Sequence, residues 1–468
     1  MRFALNDTIA APATPAGTSA LAVIRISGPE AIELTAAIFS KPEKLLQAAG
    51  YNAVHGYITD AGAALDEVVC LVFRAPHSYT GEDMVELTCH GNPDLTSRIL
   101  QLILKRCRPA EPGEFTFRAF INNKLDLAQA EAVGDLIHAR TGRAETAALD
   151  QLRGKLSQEL ASLLDELSDC RMRFELSLDF ADQDLPEPDL DAVAQRLQKV
   201  RFRLAEMLAG GRQGRILRDG FSICLSGAPN VGKSSVFNKF LAENRALVTP
   251  VPGTTRDYLE EWLALEGFPV RLWDTAGLRE TSDRVEQLGI DRTLDLMQKA
   301  DLIILLTDPD TLDQGCCRPD ALHAAKTLCV LNKTDLLGFD KLPSEAEWTA
   351  YLQGSRFAGK LADQVKLIPC SAALEDGIAR LRAEIVSRLS QPGWEASAVL
   401  VTNTRHLALL ERALASLDKA LTGIAAAAGY EFIAFDILEA SSALSEITGA
   451  VTTDDLLDRI FSNFCIGK

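Results

Sequence analysis

The chain has 468 residues, a formal charge of −17 and 47% hydrophobic residues: enough for several packed cores, and too acidic for a stand-alone nucleic-acid binder, whose phosphate contacts need clustered Lys and Arg. No run of 18 apolar residues is present, so no membrane span is expected. The ten cysteines form no C-x-x-C pair, Cys316-Cys317 has a poor zinc spacing, and the first residues lack the apolar stretch of a secretory leader, so a reduced, cytoplasmic protein is expected.

Residues before about 122 read as mixed α/β, with strand patterns at Ala20–Ile26 and Glu67–Phe73 and a helical one at Thr96–Leu104. Pro112–Phe120 is expected to turn and then enter a helix that Lys124–Glu131 continues. Asp182–Pro188 is an acidic, proline-broken connector. Beyond it, Leu190, Val193, Leu197, Val200, Leu204 and Met207 recur at alternating spacings of three and four, the seam of an amphipathic helix. Leu407, Leu410, Leu414, Leu417, Leu421 and Ile424 repeat that spacing much later. Each stripe needs an apolar partner, and the economical arrangement is one helical domain with a nucleotide-binding domain inserted between its halves.

Between the stripes, Gly227-Ala228-Pro229-Asn230-Val231-Gly232-Lys233-Ser234 follows the apolar run Ile223–Leu225 and opens into Ser235-Val236-Phe237. Strand, glycine-rich loop, Lys-Ser and helix is the order that wraps backbone N–H groups around a polyphosphate. Lys233 is placed to reach the β- and γ-phosphates and the Ser234 hydroxyl to ligate Mg²⁺. Asn332-Lys333-Thr334-Asp335 follows Leu328–Leu331; a carboxylate at such a strand end accepts paired N–H donors from guanine, which adenine does not offer in that arrangement. Asn332 and the stem of Lys333 would hold that loop and cover the base. Ser371-Ala372, after Val365–Cys370, is expected to offer a backbone N–H to the guanine oxygen.

Asp274-Thr275-Ala276-Gly277 follows Val270–Trp273, placing Asp274 to hold Mg²⁺ through water and the Gly277 N–H to sense the γ-phosphate. Gly253–Asp257 reads as a first switch in which Thr255 closes over the metal. Leu278 stands where many GTPases carry a water-orienting glutamine, so hydrolysis needs another arrangement. Glu280 and Glu286 are both candidates to position water. No arginine finger is obvious: Arg256 and Arg279 are candidates in principle, each better read as a surface or interface residue.

Asp7-Thr8-Ile9-Ala10, Arg25-Ile26-Ser27-Gly28, Tyr79-Thr80-Gly81-Glu82-Asp83, Pro112-Gly113-Glu114-Phe115, Asn122–Leu127 and the terminal Phe464-Cys465-Ile466-Gly467-Lys468, joined to the GTPase set, resemble the MnmE (TrmE) family of tRNA-modification GTPases over essentially the whole length. The resemblance implies a multidomain α/β plus all-α fold. Residues 1–122 would form an α/β tetrahydrofolate-binding and dimerisation domain. Residues 123–215 and 389–468 would form the two parts of a helical domain, and 216–388 an inserted P-loop GTPase domain with a mostly parallel sheet. It further implies a homodimer acting with an FAD- and NADH-using partner, MnmG (GidA), as a heterotetramer. The product would be an aminomethyl or carboxymethylaminomethyl group at C5 of the tRNA wobble uridine, its carbon taken from a 5-formyl- or methylene-tetrahydrofolate.

By motif, Arg25, Glu86, Lys124 and Lys468 fall on the folate site. Asn230, Thr249, Val251 and Thr254 fall on a K⁺ site that replaces the arginine finger. The nucleotide set comprises Asn230 through Ser235, Thr249, Thr255, Asp274 through Gly277, Asn332, Lys333, Asp335, Ser371 and Ala372, with Mg²⁺ at Ser234 and Thr255. Glu286 becomes the water-orienting carboxylate beside Lys233 and Thr255, and Cys465 a nucleophile candidate whose bland alternative is a small buried residue. Asn92 replaces the second glycine of a His-Gly-Gly turn in many relatives; it is expected to accept positive φ, with His90 structural. The competing function is a GTPase switch in ribosome or RNA assembly without one-carbon chemistry.

Overall fold

The computed structural model describes residues 6–179, 188–244, 259–274, 294–313, 326–354, 367–390, 399–462 and 464–468. They fall into two compact units. The first comprises residues 1–137, 150–200 and 412–468; the second comprises 138–149 and 201–411, and so is inserted in sequence between parts of the first. Each carries its own six-stranded sheet, and the chain is a multidomain α/β plus helical protein.

In the first unit, β1 (Ile9–Pro12), β2 (Leu21–Ser27), β3 (Asn52–Asp60), β4 (Ala63–Phe73), β5 (Met84–His90) and β6 (Arg108–Pro109) lie in the order β3-β4-β5-β2-β1-β6. All neighbours are antiparallel except β1 and β6. Side chains alternate across the sheet, so Ala22, Ile24 and Ile26 of β2 and Val85, Leu87 and Cys89 of β5 enter one core, closed by Ile99 and Ile103 of the helix Pro93–Ile103. The same alternation turns Arg25 and Glu86, direct cross-strand partners, to the opposite face.

That face meets the helix Glu114–Ile121, whose Phe115 packs with Ile9, Ala11 and Ala110. Arg118 of this helix is fully buried and paired with Asp7, Glu82 and Glu114, and Arg108 also pairs with Asp7 and Glu114. Phe117, Leu127 and Ala130 form a further cluster with Leu457 and Phe461 of the helix Asp454–Phe461, which brings the C-terminal segment to this unit. The helix Lys155–Asp179 buries Leu156, Leu160, Leu163, Leu167, Cys170 and Phe174 at a four-three repeat and packs against the helix Tyr430–Thr448.

Three expectations need correction. The helix from Glu114 does not run on through Lys124. It ends at Ile121, Asn123 takes φ of +54°, and a new helix begins at Leu127. Asn92 is extended at φ −97°, and its side chain accepts hydrogen bonds from the N–H groups of Asp94 and Leu95; it caps the helix Pro93–Ile103 instead of making a left-handed turn. In the helix Thr404–Ala425 the buried stripe is His406, Leu410, Ala413, Leu417 and Ala420, with Leu414, Leu421 and Ile424 only partly covered. Counting large residues alone rotated the stripe by one position, because two of the fully buried places are filled by Ala413 and Ala420. The earlier stripe stands but for its first member: Val193, Leu197, Val200, Leu204 and Met207 are buried in the helix Leu190–Ala209, while Leu190 at its start is only partly covered.

In the second unit, β7 (Phe221–Gly227), β8 (Leu259–Leu265), β9 (Phe268–Asp274), β10 (Leu302–Thr307), β11 (Thr327–Leu331) and β12 (Leu367–Pro369) lie in the order β12-β11-β10-β7-β9-β8. Every pairing is parallel except β8 with β9. Both faces are covered. Ile223, Leu225, Ile304 and Val330 enter one core, while Cys224 and Ile303 enter a second and Cys329 and Leu331 a third. Two-sided burial is why these strands read as continuous apolar runs.

Candidate functional site

Parallel strands deliver their loops to one edge, and the nucleotide motifs gather there. The loop after β7 leads into the helix Lys233–Asn244, whose N-terminal N–H groups and dipole suit an anion. Lys233 is nearly buried, with its ammonium donating to the carbonyls of Gly227 and Ala228 at 3.1 and 2.9 Å. Asn230 holds φ of +59°, and Val231 is fully buried. At the end of β9, Asp274 accepts a hydrogen bond from the Ser234 hydroxyl at 3.2 Å. A hydroxyl and a carboxylate side by side are hard oxygen donors of the kind Mg²⁺ takes.

A cavity of about 520 Å³ opens beside this loop, lined by Gly232, Ser235, Asn332, Lys333, Asp335, Ser371 and Ala372 among others. Gly232 has φ of +92°, and a Cβ there would stand 2.3 Å from the Asn332 amide nitrogen. That nitrogen donates to the Val231 carbonyl at 2.8 Å, tying the base loop to the phosphate loop, and the amide oxygen is buried without a partner among the described residues. The Ser371 hydroxyl donates to Asp335 at 2.5 Å, which aligns the carboxylate between the loops after β11 and β12.

Asp308, Asn238, Lys239, Leu336 and Ala373 went unnoticed in the sequence. Asp308 follows β10 and accepts from the Lys333 ammonium at 2.8 Å, holding the lysine stem along the cavity. Burial pushes its carboxyl up, but hydrogen bonds from Lys333 and Thr311 outweigh that and leave it below the usual range. Its position just past a parallel strand was the available signal. Thr249, Val251, Thr254, Thr255, Thr275, Ala276, Gly277 and Glu286 lie outside the described residues, as do Glu280, Arg256, Arg279, Leu278 and most of the acidic connector.

The first unit holds a second constellation. Arg25 donates twice to Glu86, at 3.0 and 2.7 Å, and once to the Gly467 carbonyl at 3.2 Å. Its guanidinium also lies over Tyr79 and Phe115, 5.1 and 5.6 Å from the ring centres. Gly467 takes φ of +93° with its Cβ position 2.2 Å from the Pro12 carbonyl, so only glycine lets the tail lie this close to β1. Lys468 is drawn in with it. Burial and the nearby Arg25 lower its ammonium pKa, with Glu86 opposing them. Arg25, Glu86 and Lys468 are therefore together. Lys124 is held by the Pro76 carbonyl at 3.1 Å, and Cys465 is exposed. Among the described residues no helix is long and apolar enough to cross a membrane, and no three His, Cys, Asp or Glu side chains group as a metal site.

Two family models match the chain: one described as the GTP-binding protein TrmE N-terminus over residues 8–124, and one as the MnmE helical domain over residues 127–465. Proteins described as tRNA modification GTPase MnmE align along its whole length. The one from Moorella thermoacetica is 42% identical, and the one from Alkaliphilus metalliredigens 39%. The one from Christiangramia forsetii is 37% identical; each alignment covers 99% of this chain and 100% of the relative. The chain belongs to the MnmE family of tRNA modification GTPases.

Proposed function

We propose that the chain hydrolyses GTP in its second unit and couples this to addition of an aminomethyl or carboxymethylaminomethyl group at C5 of the wobble uridine of tRNA. The carbon comes from a tetrahydrofolate derivative held in the first unit. The partner is the FAD- and NADH-dependent MnmG protein, joined to a homodimer of this chain as a heterotetramer in the cytoplasm. Residues 1–122 take the folate and dimerise, 216–388 take GTP, and 123–215 with 389–468, which flank the GTP-binding segment in sequence, form the helical part.

The observation that carries the proposal is the seating of Gly467 and Lys468 beside the Arg25–Glu86 pair. A carboxylate suits the amino-pyrimidine edge of a pterin through paired hydrogen bonds, and the cations suit an anionic tail. Lys124 and Cys465 complete the proposed set; Cys465 supplies a thiolate when deprotonated. On the nucleotide side, Asp335 and Ser371 read guanine, Lys233 and the helix N-terminus hold phosphates, and Ser234 with Thr255 ligates Mg²⁺. Glu286 orients the attacking water. Asn230, Thr249, Val251 and Thr254 hold K⁺, whose charge offsets that developing on the leaving oxygens.

Equilibrium dialysis of the full chain with 5-formyltetrahydrofolate, beside GTPase rates in K⁺ and Na⁺, tests both halves. Saturable folate binding and strong K⁺ stimulation are expected. K⁺-stimulated hydrolysis without folate binding would indicate an RNA-assembly switch, and equal rates in the two salts would remove the cation role.

A further inference from the structure

The helix Tyr430–Thr448 turns Ile433, Ile437, Ala440, Leu444 and Ile447 into the first unit. Its opposite face mixes acidic residues with large apolar ones. Phe432, Phe435 and Leu438 are 65%, 58% and 40% exposed, three residues apart, so they form one continuous ridge about 9 Å long. A second row crosses it at Phe435, because Glu431 and Glu439 lie four residues to either side. The helix carries Glu431, Asp436, Glu439 and Glu446 and no Lys or Arg. Glu446 is paired with Arg412, whereas the three acids around the ridge have no ion-pair partner among the described residues.

We propose that this ridge docks a basic amphipathic helix of a protein partner, with Phe435 as the anchor. Large aromatic side chains held in water favour burial, and an i, i+3 row fits the groove between side-chain rows of a second helix. The charges decide what kind of helix. RNA and anionic lipid would bring negative charge to a face already ringed by carboxylates. A second copy, face to face, would oppose Glu431, Asp436 and Glu439 with their own kind. Lys or Arg beside apolar anchors satisfies both the ridge and its rim. The proposal is independent of the chemistry at either site described above.

The test uses the full chain and a fluorescent synthetic helix with leucines at i, i+3, i+4 and i+7, lysines elsewhere and a photo-crosslinker, with a glutamate-for-lysine counterpart as control. Anisotropy should show saturable, salt-sensitive binding of the lysine peptide alone, with cross-links mapping to 430–448. Phe435→Ser should weaken it about 10- to 30-fold while circular dichroism and GTPase rate stay unchanged. If that variant does not fold, Glu431→Gln with Glu439→Gln keeps the test, with a loss of about threefold or more expected from reduced charge. Equal binding of both peptides, cross-links elsewhere, or affinity indifferent to these substitutions would overturn the proposal. So would light scattering in which Phe435→Ser dissolves a dimer of this chain.

Discussion

Arg25 donates a hydrogen bond to the main-chain oxygen of Gly467 across 3.2 Å, joining positions 442 residues apart. The arginine lies on the second strand of the first sheet and the glycine at the C-terminal tail, and the charged constellation exists only where they meet. A tail of five residues has no core of its own, so its place is set by Arg25, by the close approach of Gly467 to Pro12 and by the Phe461 cluster before it.

Arg25→Ala should therefore release the tail as well as remove a charge. Losing charge-assisted hydrogen bonds of about 1.5–3 kcal/mol each is expected to weaken 5-formyltetrahydrofolate binding about 10- to 100-fold. Equilibrium dialysis reads the affinity, and carboxypeptidase digestion reads faster loss of Lys468. Basal GTP turnover should not move.

Gly232→Ala places a methyl 2.3 Å from the Asn332 amide in a backbone at φ of +92°. Backbone strain alone should destabilise the second unit by about 1–2 kcal/mol. Displacing Asn332 also breaks its bond to the Val231 carbonyl. GTP binding, followed with a fluorescent analogue, should be lost with the fold retained.

Asp335→Asn removes the acceptor aligned by the Ser371 hydroxyl. GTP affinity should fall about 10- to 100-fold, from about 1.5–3 kcal/mol for a hydrogen bond to a charged group, and xanthine nucleotides should gain. Unchanged selectivity in competition titrations would move guanine recognition elsewhere.

Arg118→Ala leaves buried Glu114 to Arg108 alone and breaks the pair with Glu82, so a cost of about 3 kcal/mol is expected, read as a lower Tm. The same network has a pH signature. Burial pushes the Asp7 carboxyl up, but Arg108 and Arg118 bring it below its ordinary 3.8. Its contribution is thus complete above the unfolded pKa and disappears as pH falls through the folded one. Acid unfolding should be less steep in Asp7→Asn.

His90 runs the other way. Its ring donates to Asp66 at 2.7 Å, and this bond raises its pKa above 6.5. The stabilisation is complete below the unfolded pKa and is lost as pH rises through the folded value. NMR titration should show the His90 pKa returning toward the ordinary value in Asp66→Asn.

The legible part of this chain was the part written in short stretches. The phosphate loop had to follow a strand and open a helix, and its glycines, lysine and serine are contiguous, so the local chemistry carried over intact to β7 and the helix Lys233–Asn244. Helical stripes were legible where large side chains bore the burial, as in Leu190–Ala209, and shifted where alanines did, as in Thr404–Ala425. Asn92 was misjudged because a left-handed turn and a helix cap draw on the same residue type, and only its backbone angle separates them.

By itself the sequence determined the nucleotide-binding motifs, the apolar runs that become strands of the second sheet and the strand patterns at Ala20–Ile26 and Glu67–Phe73 in the first. These depend on neighbours along the chain and on periods of two or 3.6 residues. Tertiary structure alone decided which distant groups meet: Asp308 with Lys333, Asn332 with Val231, Arg25 with Glu86 and Gly467. Strand order and register bring those charges together, and register is settled by the packing of whole faces, a sum over many residues that no single stretch contains.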